Sequence, residues 1–446
     1  MERVFPLKLL GRTPRTVEHA PTREARRFTQ RCVALILSHM RIPAIVLLCT
    51  VACTSGDARV TAPEGAAAFG RFVSIGAGVT MGEQSAGVVY ETQLTAWPAQ
   101  LAARMDAPFR VPALRQPGCT PPLVAPLVLY RTIEGPVASA VICSGKLGVD
   151  TLPANNVAIS GATAWDVLHT SPRTFAGLAA SLDQSRYALV LPSVQTQVQA
   201  MRSQRPTLVA VELGAVEVLR AASSGLVVLG TSYTQKGAWT LMPASVFALV
   251  LDSIADSVAV TGARAVFLGV PAVMSLPAWR AGDVLWQQRT ELATYGVAVD
   301  ANCQSSANLV NTVALLPPLA AASRATGVAQ ALSCADQPGV ADRILTAGEA
   351  ALIAQTVTAI NAAIKAAADK RNFAYTDMPL FSSEIPFAAP AFSAATFFGA
   401  DQPFGWATSL DGVLPSAYGQ GLLADAVASA LNTKYGWKIP LPVRPR

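Results

Sequence analysis

Five short apolar runs govern what this chain can fold into. They cover residues 71–75, 156–159, 208–213, 265–270 and 373–378. An apolar run of this length without polar alternation fits a strand buried on both faces. Stretches with helical spacing lie between and after the runs, at 96–105, 163–168, 243–261 and 347–370, and a closing helix spans about 416–435. Strands joined through helices pair in parallel, with the helices packed on the faces of the sheet. The expectation is an α/β fold, a three-layer α/β/α sandwich around a parallel sheet of about five strands. Such sheets take their ligands beyond the carboxyl ends of the strands, so the turn after each run is where chemistry is sought.

Of the 446 residues, 52% are hydrophobic and 14% charged, which supports a large core and excludes a disordered chain. The net charge of +6 is unevenly spread. Residues 1–52 hold nine Lys/Arg and three Asp/Glu, whereas the remainder holds 25 of each. A neutral body carries no electrostatic footprint for nucleic acid.

The basic segment reads as an export leader. Arg23, Arg26, Arg27 and Arg31 precede an apolar run over 32–52, interrupted by His39 and Arg41. Translation from Met40 would leave a short basic start and an apolar stretch over 42–52. A transmembrane anchor is the alternative, but a span needs about 20 apolar residues and this run is charged in its middle. The run ends Thr50-Val51-Ala52-Cys53-Thr54-Ser55-Gly56-Asp57, which resembles a bacterial lipobox, with Thr50 where Leu is usual. That resemblance implies lipidation of Cys53 and attachment to a membrane on the periplasmic or outer face; an ordinary signal peptide and secretion is the alternative. The expected organisation is a leader over 1–53, a flexible tether over 54–69 and a single domain over 70–446.

Four cysteines follow Cys53: Cys119, Cys143, Cys303 and Cys334. An even number in an exported chain suggests two disulfides. Cys119–Cys143 and Cys303–Cys334 is the favoured pairing because each pair encloses one loop-rich insert; four buried free thiols is the alternative. Long inserts are expected over 114–154, 274–346 and 381–404, the last rich in Phe and Pro. Inserts of this length are often functional.

The turns after the runs carry a recognisable order of blocks. Phe72-Val73-Ser74-Ile75-Gly76 leads into Ala77-Gly78-Val79-Thr80. Asn156-Val157-Ala158-Ile159-Ser160-Gly161 follows, then Val211-Glu212-Leu213-Gly214-Ala215-Val216-Glu217, and last Asp411-Gly412-Val413-Leu414-Pro415-Ser416. Together they resemble the blocks of the SGNH/GDSL hydrolases, which read roughly G-D-S-L-T, a Gly after the second strand, G-x-N-[DE], and D-G-x-H-P-S. The start Thr95-Ala96-Trp97-Pro98-Ala99 and Pro117-Gly118-Cys119 are similar to the lipoprotein-type members of bacterial envelopes. The resemblance spans about residues 70–435. It implies a flavodoxin-like sheet, no cofactor, and a Ser–His–Asp relay with an oxyanion hole.

Only part of that machinery is present. Gly78 stands at the nucleophile position and keeps a backbone N–H without a hydroxyl. Gly161 matches the oxyanion glycine, although a strand-to-helix turn alone would also call for glycine. Val216 stands at the position of the oxyanion Asn and cannot donate; losing one such donor typically costs about 100- to 1,000-fold in rate. Asp411 matches the acid, and Leu414 stands where the base belongs. Of the three histidines, His19 and His39 lie in the leader and His169 alone lies in the body. A relay needs an imidazole, and His169 reads as a surface residue on a helix, paired with Asp166. Ser74 and Thr80 are misplaced to replace the nucleophile. The cysteine and histidine pattern offers no zinc site. Glu83, Glu91, Glu212, Glu217 and Asp411 are the carboxylates open to glycoside chemistry, with nothing in the sequence to join any two.

The reading that follows is an exported, SGNH-like envelope lipoprotein without catalysis, acting by binding an envelope protein or a glycan or lipid in the residual cleft. An esterase, lipase or deacetylase with rearranged groups is the alternative. A structural role, with the Phe-rich stretch 387–404 as a contact face, is the third.

Overall fold

The central sheet forms where the apolar runs lie. In a computed structural model, residues 66–137, 143–148, 153–235, 237, 239–378 and 390–442 are described. The expectations for the leader, for most of the tether and for Cys53 fall outside them. Strands β1 (Phe72–Gly76), β2 (Leu208–Glu212), β3 (Arg264–Leu268) and β4 (Ala374–Thr376) pair in parallel in that order. Phe72 is opposite Leu208, Leu208 opposite Arg264, and Ala374 opposite Val266.

The expected strand at 156–159 is reduced to one parallel bridge, Ser74 to Asn156, on the free edge of β1. Hydrogen bonds from Ser74 N to Asn155 O and from Val157 N to Ser74 O (both 3.0 Å) and from Ile159 N to Gly76 O (3.1 Å) keep it in place. The ladder is interrupted because the Asn156 side chain takes part in local bonding. Its Oδ1 accepts from Ala158 N and its Nδ2 donates to Thr80 O. With this segment the order is second, first, third, fourth, fifth, the flavodoxin-like arrangement.

Side-chain alternation along the strands divides the core. Val73, Ile75, Val209, Val211, Ala265 and Phe267 meet Val167, Met201, Val218, Ile254 and Ile360 on one face. These come from α2 (Ala164–His169), α3 (Gln197–Ser203), α4 (Val216–Ser224), α5 (Ala244–Ala259) and α6 (Ala347–Lys370). Phe72, Leu208, Ala210, Val266 and Leu268 meet Trp97, Leu101, Leu423, Val427 and Leu431 on the other. Those helices are α1 (Trp97–Arg104) and α7 (Ala417–Tyr435). The helix α6 is long and apolar enough to cross a membrane, but its buried face, with Ile353, Ile360 and Ile364, packs in this core. The described chain begins with a short helix, Ala66–Phe69, whose buried Phe69 meets the Trp437 ring edge-on at 4.9 Å.

Two of the inserts depart from the loop-rich expectation. Residues 274–346 include the helix Thr312–Thr326, shorter helices and paired short strands. They build a third core from Leu285, Leu292, Val297, Leu316 and Leu332, closed by the Cys303–Cys334 disulfide. Phe397, Phe398 and Phe404 are buried in that same core, so these three are packing residues and not a contact face. Residues 379–389 lie outside the described residues. Cys119 and Cys143 form the other disulfide, so both pairs match the favoured connectivity. Two disulfides fit an oxidising compartment.

Phe267 is fully buried and stacks on Phe373 at 5.8 Å. Phe267→Ala is expected to cost about 3–5 kcal/mol, read as a lower urea midpoint with unchanged slope. A loss below about 1 kcal/mol would contradict the sheet as the centre of the core.

Candidate functional site

The four blocks arrive at the carboxyl edge of the sheet: Gly78 follows β1, Gly161 follows the bridged segment, Val216 opens α4, and Asp411 precedes α7. There the β1 turn is tied down from every side. Gln197 accepts from Gly76 N (2.9 Å) and donates to Gly76 O (3.1 Å). Glu212, at the end of β2, reaches beneath the turn and accepts from Ala77 N (3.2 Å) and Thr80 N (3.4 Å). Asn156 Nδ2 donates to Thr80 O (2.7 Å), and Gln420 Nε2, from α7, donates to Val79 O (3.0 Å). The indole of Trp97 donates to Thr80 Oγ1 (3.2 Å). Thr80 is therefore fully buried within a bonded network, and Ser74 lies in the strand with its side chain equally buried.

Gly78 is buried, and the space its side chain would take is filled. A Cβ there would overlap Oε2 of Glu83, whose backbone N donates to Gly78 O. The nucleophile position is thus covered by a half-buried carboxylate five residues along the chain.

Asp411 is buried, and both its oxygens are engaged. Oδ1 accepts from Val413 N (2.8 Å) and Leu414 N (2.7 Å); Oδ2 accepts from Ala86 N (2.7 Å) and Ser409 Oγ (3.0 Å). Ser85 N donates to Ser409 Oγ and Leu410 N donates to Ser85 Oγ. The acid position therefore clamps the 409–414 turn to Ser85 and Ala86, which both have positive φ. Burial raises the Asp411 carboxyl above its usual range, against the pull of these donors. Leu414 packs against the core that holds Val79, Trp97 and Leu423.

Gly161 has φ +78, which favours glycine, and its carbonyl accepts from Arg220 Nη2 at 2.8 Å. Val216 is half-buried at the start of α4 and lines a narrow recess with Thr163, Glu217, Arg220 and Tyr233. His169 is exposed and stacks on Trp165 at 3.9 Å between ring centres. Asp166 turns inward, accepting from Thr163 N and Thr170 Oγ1 to cap α2. The stack on Trp165 replaces the surface pair with Asp166 that the sequence predicts. Among the described residues no group of three His, Cys, Asp or Glu could hold a metal ion.

The carboxylates that the sequence left unconnected hold the edge together. Besides Glu212, Glu217 is fully buried and accepts from Ala164 N (2.7 Å) and Tyr233 Oη (3.0 Å). Glu91 is exposed on the helix Tyr90–Leu94 and takes no part. One signal for Glu212 is legible in the chain: a carboxylate ends an otherwise apolar strand, where burial requires donors.

No protein-family profile matches the chain, and no curated protein matches it. Among solved structures it is similar to a mutant of an acetyl-xylooligosaccharide esterase from Geobacillus Stearmophilus, at 12% identity and a TM-score of 0.31, over 84% of this chain and 96% of that one. A likeness this slight carries no weight for the activity.

Burial raises the Glu212 carboxyl from 4.5 to about 7, against the bonds from Ala77 and Thr80 that lower it. The folded chain therefore keeps a proton that the unfolded chain releases between those two pH values. Stability from this group is full below the unfolded value and declines as pH rises to about 7. The decline amounts to about 3 kcal/mol. Glu212→Gln keeps an acceptor for both amides and is expected to flatten this part of the curve of denaturation midpoint against pH. A curve with the same slope in both proteins would refute the assignment.

Proposed function

We propose that this chain is an SGNH-hydrolase-like protein of the cell envelope that binds or associates without hydrolysing. Support for the architecture comes from the block order and from the strand order, which put Gly78, Gly161, Val216 and Asp411 on one edge of the sheet. The observation that carries the loss of catalysis is the bonding of Asp411, whose two oxygens serve three donors of its own turn and the Ala86 amide, as a structural clamp does. The end of the half-buried Glu83 side chain also lies where a side chain at Gly78 would go. Val216 removes an oxyanion donor, and Leu414 offers no base.

The wild type is expected to hydrolyse p-nitrophenyl acetate no faster than buffer. Gly78→Ser, Val216→Asn and Leu414→His combined are expected to gain turnover, and to gain more when Glu83→Ala is added. Asp411→Ala is expected to lower the thermal midpoint, since it strands four donors. Wild-type turnover that vanishes in a folded Asp411→Ala variant would establish the esterase reading instead.

Attachment through Cys53 completes the proposal. Its support is the lipobox-like stretch 50–57 and the basic, apolar segment before it. Cells fed a labelled fatty acid should label the full-length chain, and Cys53→Ser should abolish the label. Equal label in both would exclude the anchor.

A further inference from the structure

The body is neutral as a whole, but a row of its cations is gathered at the amino ends of the strands, opposite the four blocks. Arg71 precedes β1, Arg205 stands three residues before β2, and Arg264 opens β3. Their backbones are joined there: Arg71 Nε donates to Arg205 O, Thr207 N to Arg71 O, and Arg264 N to Thr207 O. Arg110 lies against the start of the bridged segment, where its carbonyl accepts from Asn155 N and Asn156 N, while Asn155 Nδ2 donates to Phe72 O. The bridged segment, β1, β2 and β3 are neighbours in that order, so one arginine stands at each of four successive strand starts. Adjacent strands lie about 5 Å apart, which makes the row about 15 Å long. Arg202, whose carbonyl accepts from Arg205 N, and Lys434, next to the Tyr435 hydroxyl that donates to Ala265 O, extend it.

All six side chains are exposed, and among the described residues none of the six forms an ion pair. Other cations toward this edge are paired. Arg371, which precedes β4, is held by Asp252 and Asp256, Lys370 by Asp252, and Lys365 by Asp369. The exposed Asp106, four residues before Arg110, offsets one charge of the row. What remains is a line of like charges that repel one another until an anion neutralises them.

We propose that this edge rests on a surface of anionic lipid headgroups. Guanidinium groups suit the partner, because their donors match phosphate oxygens two at a time. Val260 is 69% exposed four residues before Arg264, in the turn that leads into β3, and gives the edge an apolar side chain for the interface. The described chain also enters here, through the helix Ala66–Phe69 just before β1. Twelve residues separate Cys53 from Ala66, and a stretch of that length reaches about 40 Å at most. A lipid on Cys53 would keep this edge within that reach of the membrane. The choice of lipid over another polyanion therefore rests on the anchor proposed above; the row of charge does not.

The test uses the full chain with a protease site placed between Cys53 and Ala66. Cutting the folded protein frees the body from the basic leader and from any lipid, so that the edge is tested without either. The cut protein is expected to sediment with vesicles of phosphatidylglycerol and phosphatidylcholine in equal parts, to stay in solution with phosphatidylcholine alone, and to dissociate as salt is raised. Arg71→Gln, Arg110→Gln, Arg205→Gln and Arg264→Gln combined are expected to lower the partition at least about tenfold, since each basic group near an anionic leaflet is worth about fivefold. Arg324→Gln, on the exposed side of the helix Thr312–Thr326, should leave it unchanged. Should the fourfold variant fail to fold, Arg202→Glu with Lys434→Glu, both at exposed helix ends, is expected to weaken partition by a similar factor. Equal partition onto both vesicle types, partition onto neither, or unchanged partition in the edge variants would overturn the proposal. Retention on heparin without vesicle binding would assign the row to an acidic polymer and overturn it as well. Failure to label Cys53, by contrast, would remove the anchor and leave this result standing.

Discussion

The carboxylate of Glu212 is the contact on which the organisation of the sheet edge depends. It ends the central strand β2, is buried almost completely, and accepts from the amides of Ala77 and Thr80 in the turn after β1. A buried carboxyl group in that position needs hydrogen-bond donors around it, and the turn supplies them. In exchange, the turn acquires one conformation. Gln197, Asn156 and Gln420 then bind the remaining exposed backbone groups of the same turn from three other elements. The same device recurs nearby, with Glu217 on Ala164 and Asp411 on Ala86, Val413 and Leu414.

This arrangement has a functional consequence. In a parallel α/β sheet the carboxyl edge is the place where backbone amides are available to a ligand. Here several of those amides are already bonded to buried carboxylates and amides of the protein itself. The end of the Glu83 side chain lies against Gly78 in the turn after β1. The described edge has the chemistry of a packed interior. Glu217 Oε2 is an exception, a buried oxygen without a hydrogen-bond partner among the described residues.

Most of the sheet was legible in the chain, because buried strands show as uninterrupted apolar runs and the helix spacing between them forces parallel pairing. The run at 156–159 was legible as extended chain but not as a full strand, since the interruption comes from where the Asn156 amide points. The disulfide pairing was favoured from the chain, since each pair encloses one insert, but only the structure fixed it. The body at 274–346 was not, because its elements are short and its core is assembled from Leu285, Leu316 and Leu332 with Phe397 and Phe398 from far along the chain. The Phe-rich stretch read as a surface for the same reason: only its partners reveal that it is buried.

At the site, the residues missing from a relay are a property of the sequence. The body carries one histidine, His169, and Gly78, Val216 and Leu414 stand where the resemblance expects Ser, Asn and His. Composition cannot say what takes the place of the lost groups. That Glu83 folds back over Gly78, that Glu212 supports the turn after β1, and that Asp411 joins its own loop to Ala86 are decisions of the tertiary structure. The reason is physical: a carboxylate's role is set by which donors come within about 3 Å of it, and those donors belong to segments up to 325 residues apart in the chain.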